Sequence, residues 1–376
     1  MNGIYYYLIA FFIIWILALT LKSKLTNHGF EINFPVIMWR TDRLRGLISK
    51  ISNFSPRFWK WYMNIGIVAC YVAMAAMSWI LISSLETVLE TPSVSLVIPG
   101  VEIPGSPIYV PFFAGFVSLA TVLIVHEFSH GIQSIGEKIP IKSIGLLLFA
   151  LIPGAFVEPD EDKLNESDKL SRLRVYGAGS MANMTLALIA LLVVAGVSYE
   201  IPQIFDENGI EISRVVGDSP SEGILKEGMV IESIDNKKIS DADDYMNIVS
   251  SFKPGDNVTV LTDQGAYTVE LGTNPNNDSV GYFGLQASKH FELNNNQFGP
   301  LPWVLFSILD LFQWIFTLNL GIGLFNLLPI KPLDGGHMLE ILLSYRLSEN
   351  QYRPIVNSVS AIFILIIVFS LVAGFI

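Results

Sequence analysis

The sequence contains few charged residues. Only 15% of its 376 residues are Asp, Glu, Lys or Arg, and 51% are hydrophobic, whereas a soluble globular domain carries about 25% charged residues. The mean hydropathy is +0.50. This composition excludes a wholly soluble protein. It predicts a membrane protein with room for one soluble domain of roughly 100 residues.

Cysteine and excess positive charge are also scarce. The single cysteine, Cys70, lies in an apolar run, so neither an intrachain disulfide framework nor a zinc site built from cysteines is possible. The formal net charge is -11, which argues against a nucleic-acid partner. The N-terminal stretch lacks the positive n-region and the small-residue cleavage site of a secretory signal, and we interpret it as a retained spanning helix.

Long apolar runs are abundant. A membrane span needs about 20 largely apolar residues, and six stretches meet this requirement. They are residues 4–21, 63–84, 110–130, 177–198, 302–328 and 356–376. A seventh apolar stretch, 143–157, is short and contains Pro153 and Gly154. Because irregular backbone is not tolerated in contact with lipid, we predict a re-entrant or strand-like element packed against protein.

The lysines and arginines of the loops predict how the chain crosses the membrane. Loops 22–62 and 131–176 hold eight and six of these residues, and loop 85–109 holds none. Because positively charged loops stay in the cytosol, both chain ends are predicted to lie outside. The third span then carries its C-terminal end towards the cytosolic face.

Residues 199–301 differ in composition from the rest of the chain. They contain 17 Asp and Glu against 6 Lys and Arg, a net charge of -11. Four short apolar runs bounded by turn residues predict strands, and one run with an acidic first turn predicts a helix. The strands are 211–216, 229–234, 257–262 and 266–271, and the helix is 241–252. We predict one small soluble α+β domain outside the membrane.

The third span ends in ionisable residues, in the sequence HEFSH at 126–130. Burying each such group in hydrocarbon costs at least about 2.5 kcal/mol, which disfavours a pair of merely structural histidines. His126 and His130 project from one helix face, as two ligands of a tetrahedral zinc do. Glu127 is placed to take a proton from the attacking water and pass it to the leaving amine. H-E-x-x-H on a helix is a metalloprotease signature.

A hydrolytic zinc site needs a third protein ligand and an open position. The fifth span ends in LFNLLPIKPLDGG, at the same predicted depth as HEFSH. Asp334 there is followed by two glycines, which let backbone approach a site closely. We predict that Asp334 is the third ligand, with a turn or helix N-cap role as the alternative.

Two asparagines lie near the same predicted membrane face. Asn183 follows a run of small residues at the start of the fourth span, and Asn326 precedes the proline-rich end of the fifth. A buried amide needs partners. Either side chain can donate to the oxyanion that forms when water attacks a peptide carbonyl. The sequence leaves open which of the two does so.

Three motifs together resemble the site-2 protease family of intramembrane zinc metalloproteases. They are HEFSH at 126–130, GSMAN at 179–183 and NLLPIKPLDGG at 326–336. The resemblance covers roughly residues 110–345. It implies a single zinc ion, a glutamate base and substrate-positioning asparagines. The residues so assigned are His126, His130 and Asp334 for zinc, Glu127 as the base, and Asn183 and Asn326 for the substrate.

The resemblance extends to two further segments. Residues 199–301 resemble a PDZ domain, which many members carry at this position, and residues 154–162 resemble the family's membrane-associated β-structure. We therefore predict a multi-span α-helical membrane protein with about six transmembrane helices, a membrane-associated β element and an inserted small α+β PDZ-like domain. The predicted domains are a two-span region (1–109), a first catalytic part (110–198), the extracytoplasmic domain (199–301), a second catalytic part (302–345) and a last span (346–376).

The predicted function is hydrolysis of peptide bonds within or next to transmembrane segments of single-span membrane proteins. An edge of the 143–157 element would pair with the unwound substrate. The external domain would exclude bulky substrates until an upstream site-1-type protease trims them. A transporter or metal-ion carrier is the first alternative, although no inverted repeat is visible. A proteolytically silent scaffold is the second, although a scaffold does not need all four groups.

Overall fold

A computed structural model shows the architecture of the chain. It describes residues 4–41, 43–88, 94, 97–101, 103, 106, 108–217, 219–274, 277–294, 299 and 301–373. The chain divides into two compact units. We call them the membrane unit, Met1–Val194 with Leu309–Ile376, and the inserted unit, Ala195–Ile308.

Within the described residues, five helices are long and apolar enough to cross a membrane. They are α4 (Pro56–Ser83), α5 (Phe112–Gly136), α7 (Lys169–Ile204), α9 (Val304–Asn326) and α11 (Glu349–Ala373). The first predicted span is the apolar helix α1 (Ile4–Thr20), whose 17 residues are at the short end of spanning lengths. Shorter helices are α2 (Lys22–Thr26), α3 (Arg45–Phe54), α6 (Glu161–Glu166) and α10 (Asp334–Ser344). Residues 374–376 of the last predicted span lie outside the described residues.

An antiparallel four-stranded sheet belongs to the membrane unit, in the order β1-β2-β3-β4. Its strands are β1 (Phe30–Asn33), β2 (Val36–Thr41), β3 (Ile141–Phe149) and β4 (Ile152–Pro159). The predicted element 143–157 is therefore strand-like, as a hairpin. The participation of β1 and β2 was not predicted. Gly145 is required here because a Cβ would overlap the carbonyl oxygen of Trp39.

The sheet packs on α5 through a small apolar core. Its buried members come from α3, α5, β3 and β4, and they are Ile48, Ile132, Ile141, Ile144 and Val157. Gly131 allows the close approach, since a Cβ there would lie 3.1 Å from the Val157 side chain. At the far end of β4, Ser143 and Arg40 both donate to Glu158. These hydrogen bonds lower the pKa of Glu158, and the bond from Ser143 has the largest effect. They also connect β4 to β2 and β3.

A buried ion pair fixes the end of α5. Glu137 directly follows α5, and its side chain is only 3% exposed. It pairs with Arg174 of α7 at 3.1 Å and with Lys60 of α4 at 3.4 Å. Because a buried carboxylate without a partner is strongly destabilising, these contacts hold the three helices together next to the HEFSH segment.

The inserted unit contains a second antiparallel sheet, in the order β12-β5-β6-β8-β9, with β7 paired to β6. Its strands are β5 (Phe205–Val215), β6 (Val230–Ile234), β7 (Lys237–Lys238), β8 (Asn257–Thr262), β9 (Gly265–Glu270) and β12 (Leu285–Leu293). A separate pair is β10 (Gly272–Asn274) with β11 (Asn277–Tyr282). Helix α8 (Ala242–Val249) is capped by Asp241, whose side chain accepts from the Asp244 N–H.

The four predicted strands and the predicted helix of this unit are present. The strand predicted at 211–216 begins six residues earlier, at Phe205, and β12 was not predicted because most of its residues are exposed. The predicted fold class, a multi-span helical membrane protein with a β element and an inserted α+β domain, is confirmed. The exact domain boundaries stay predictions.

Candidate metal centre

The two histidines of HEFSH face the same space. They lie one turn apart in the last part of α5, and their Nε2 atoms are 3.2 Å apart. His126 is buried, and the side chain of His130 is 13% exposed. The i, i+4 spacing of an α-helix produces this convergence directly.

Asp334 reaches this space from the first residue of α10. Its Oδ2 lies 3.4 Å from Nε2 of His126 and 3.5 Å from Nε2 of His130. The two following glycines allow the chain to fold back on itself before α10. A Cβ at Gly335 would overlap the Leu327 carbonyl, and one at Gly336 would lie 2.6 Å from the Ile330 carbonyl. The DGG sequence therefore delivers the carboxylate to the histidines.

The three donor atoms have the spacing of ligands around one metal ion. Zinc bonds of about 2.0–2.1 Å at tetrahedral angles separate neighbouring ligand atoms by about 3.3–3.4 Å. The separations of 3.2, 3.4 and 3.5 Å match that value. His, His and Asp form the one group of donors able to hold a metal ion among the described residues.

The hydrogen bond made by the second ring nitrogen of His130 is also typical of a histidine that binds a metal. Nδ1 lies 2.8 Å from the carbonyl oxygen of Val175 on α7. A carbonyl only accepts, so Nδ1 carries the proton and donates it. Nε2 then keeps its lone pair for the metal, which is the usual arrangement of a ligating histidine.

Asn183 contacts the second nitrogen of His126. Its amide nitrogen lies 3.2 Å from Nδ1 of His126, while its own Oδ1 is buried without a partner in the described part of the chain. Amide nitrogen and oxygen are assigned from the hydrogen-bond network. In the exchanged orientation, Oδ1 accepts a hydrogen bond from Nδ1–H of His126. In this orientation Nε2 of His126 also keeps its lone pair.

Helix α7 leaves room for the donors and supports them. A Cβ at Gly179 would lie 2.5 Å from Nε2 of His130 and 2.6 Å from Nε2 of His126, so a side chain there would fill the space that they face. Ser180 donates to Oδ2 of Asp334 at 3.3 Å. The sequence reasoning missed Ser180. Its signal was a small polar residue inside the motif that ends at Asn183.

Glu127 and Asn326 have different surroundings. Oε2 of Glu127 accepts from the Val157 N–H of β4 at 3.0 Å. Glu127, His130 and Asp334 line one cavity of about 640 Å³. Asn326 ends α9 and is half-buried. No hydrogen bond joins its side chain to the metal donors over the described ranges, so its role stays a prediction.

A family profile identifies the chain. The profile of peptidase family M50 matches residues 114–367, which is more than half of the sequence and includes all the residues of this centre. The chain belongs to peptidase family M50. The resemblance to site-2 proteases is confirmed, and this M50 peptidase is an integral membrane metallopeptidase.

Three relatives are similar to between 36% and 88% of this M50 peptidase. An uncharacterised protein of Methanocaldococcus jannaschii is 26% identical over 338 residues, or 88% of this chain and 83% of the relative. A Fusobacterium nucleatum protein described as a zinc metalloprotease is 24% identical over 300 residues, or 62% of this chain and 88% of the relative. A membrane-bound transcription factor site-2 protease homolog of Arabidopsis thaliana is 24% identical over 135 residues, or 36% and 26%.

Solved structures are similar to a smaller part of the M50 peptidase. They are PDZ domains of SdrC-like proteins. The Listeria innocua domain is 22% identical with a TM-score of 0.21, and the match covers 22% of this chain and 97% of that domain. The Listeria monocytogenes domain is 20% identical with a TM-score of 0.20, and the match covers 21% of this chain and 87% of that domain.

Proposed function

We propose that this M50 peptidase hydrolyses peptide bonds within or next to transmembrane segments of membrane-anchored proteins. One zinc ion would be held by His126, His130 and Asp334. The observation that carries the proposal is the convergence of three donor atoms within 3.5 Å of one another at the end of an apolar helix. Glu127 lies in the wall of the same cavity.

The protein groups have distinct tasks in this mechanism. Bound zinc would act as a Lewis acid, which polarises a peptide carbonyl and lowers the pKa of water. Glu127 accepts the proton of the attacking water and delivers it to the leaving amine. Val175 and Asn183 fix the orientation of the two imidazoles, and Ser180 supports the carboxylate. Asn326 remains the candidate donor to the oxyanion.

A transmembrane helix must unwind before it is cut. Its amides are hidden in i to i−4 hydrogen bonds, whereas an extended peptide can bond to a strand edge. In the described part of the chain, β4 is an edge strand, and Val157 in it lines the cavity with Glu127. A substrate strand along β4 would therefore pass the metal donors.

The cavity supports an active site that receives water from the cytosolic side. Charged residues line it beyond the metal donors, and they are Glu161, Arg172, Lys331, Glu340, Glu349 and Arg353. Such a lining suits water, which the hydrolysis consumes. With the positive loops in the cytosol, the cavity would open towards that side and the inserted unit would lie outside.

Metal analysis combined with a cleavage assay tests the proposal. We expect Glu127→Gln to retain one zinc per chain and to cleave a single-span peptide at least about 100-fold more slowly, the lower end of a general base's contribution. Asp334→Ala should lose both zinc and activity, because two histidines alone bind weakly. Chelator should abolish wild-type cleavage, and zinc should restore it. A Glu127→Gln variant that cleaves at the wild-type rate would contradict the role of Glu127.

A further inference from the structure

A hydrogen bond joins the Glu127 carboxylate to the main chain of the edge strand β4. Val157 pairs with Ile144 of β3 in the antiparallel ladder, yet its N–H donates to Oε2 of Glu127 at 3.0 Å. Residues of an antiparallel pair either exchange both hydrogen bonds or direct both main-chain groups away from each other. The N–H and C=O of Val157 therefore point to the open edge of β4.

Two other residues of β4 share this orientation. Side-chain and main-chain directions repeat every second residue, so Ala155, which pairs with Leu146, also directs its N–H and C=O to the open edge. Pro153 is two residues earlier, and proline lacks an N–H, which suits a position where the ladder does not need one. The edge thus offers two N–H groups, at Ala155 and Val157, and Glu127 occupies one of them.

We propose that Glu127 and the substrate backbone compete for the Val157 N–H. Without substrate, the carboxylate of Glu127 caps the edge strand. A substrate strand that pairs with β4 brings a carbonyl oxygen to the Val157 N–H and releases Glu127 towards the water. Binding of an extended backbone thereby frees the base. The inference rests on the proposed function, in which Glu127 is the base and β4 receives the substrate.

The exchange would couple the release of Glu127 to the binding of an extended substrate backbone. A free Glu127 carboxylate would accept the proton of the attacking water whichever peptide entered the cavity. A carboxylate that is hydrogen-bonded to β4 is released only when a substrate strand pairs with β4. The substrate gains the bond that Glu127 gives up, so the net cost of release is small.

Proline substitutions distinguish the roles of the Ala155 and Val157 N–H groups. Ala155→Pro removes an N–H that serves the substrate alone. Val157→Pro removes one that serves the substrate and also holds Glu127. We expect kcat/KM on a single-span peptide to fall roughly fivefold for Ala155→Pro, the effect of one hydrogen bond, and to fall less for Val157→Pro. Val157→Ala, which keeps the N–H, corrects for the lost side-chain packing.

Three kinetic outcomes would overturn the exchange. An unchanged kcat/KM in Ala155→Pro means that the substrate does not use this edge. A larger loss in Val157→Pro, carried by kcat, means that the N–H holds Glu127 in its working position. Equal losses mean that Glu127 does not compete. Zinc content, measured for each variant, shows whether the centre has folded.

Hydrogen exchange tests the same inference without any cleavage. In full-length Glu127→Ala, the Val157 amide loses its acceptor, and we expect it to exchange faster than in the wild type. Adding an uncleaved single-span peptide to this variant should slow the exchange of Ala155 and Val157 and leave Phe156, which bonds to β3, unaffected. Unchanged exchange on addition of the peptide overturns the inference. A wild-type protein that cuts no membrane-anchored peptide would instead contradict the proposed function.

Discussion

Asn183 is placed to support the proposed metal site through His126. Its amide lies 3.2 Å from Nδ1 of His126, a contact that the sequence did not predict when it offered Asn183 and Asn326 as alternative donors to the oxyanion. The two roles make different demands. A positioning residue affects the affinity for zinc, whereas an oxyanion donor affects the rate of the chemical step.

Substitution of Asn183 separates these roles. We expect Asn183→Ala to weaken zinc binding roughly 10- to 100-fold, the usual effect of losing a partner of a ligating histidine. Asn183→Asp keeps an acceptor oxygen and should weaken it much less. Competition with a chelator measures both. Asn326→Ala is the matched control, with zinc affinity unchanged and kcat reduced. Normal zinc affinity in Asn183→Ala would point back to the oxyanion role.

At the scale of an element, helix α7 does more than cross the membrane. One face of it gives space at Gly179, a hydroxyl at Ser180, an amide at Asn183 and a carbonyl at Val175. These positions are separated by at most eight residues along one helix. Helix α7 therefore contacts the imidazoles of α5 and the carboxylate of α10 on one side of the candidate metal centre.

Gly179 gives the sharpest test of this helix. Glycine costs a helix interior about 1 kcal/mol relative to alanine, so Gly179→Ala should favour the helix itself. We expect loss of zinc and of cleavage nonetheless, because the added Cβ would lie 2.5 Å from Nε2 of His130. Gly196→Ala in the same helix is the control, since a Cβ there meets no atom within 4 Å. Equal zinc contents in the two variants would contradict the packing argument.

At the scale of the whole molecule, the acidic inserted unit has its own sheet, helix and apolar core. Its most deeply buried residues include Ile212, Ile234, Val260 and Val269, all fully shielded from solvent. The buried members of this core all lie between Ile210 and Phe283, so the deletion of residues 205–290 removes the core as a whole.

Deletion of residues 205–290 tests the proposed size filter. We expect the shortened protein to cleave a single-span substrate that still carries a folded ectodomain, which the full chain should leave uncut. Both proteins should cut the same substrate after its ectodomain has been trimmed, and this trimmed form is the control. If the shortened protein cuts only the trimmed form, the inserted unit is not the filter.

Local sequence determined the structural features that depend on residues close together along the chain. Apolar length fixed the long spans, and the i, i+4 spacing of His126 and His130 fixed their common direction. Strands such as Asn257–Thr262 followed from alternation and turn residues. These features arise within one helix or one strand, where residue spacing translates directly into geometry.

Only the tertiary structure decided which distant groups meet. The pairing of β2 with β3 joins segments about 100 residues apart, and nothing local in Val36–Thr41 marks its partner. The hydrogen bonds of Ser180 to Asp334 and of Val157 to Glu127 likewise connect separate elements. A side chain or a main-chain N–H has a fixed chemistry, but its partner depends on how the helices and the sheet pack.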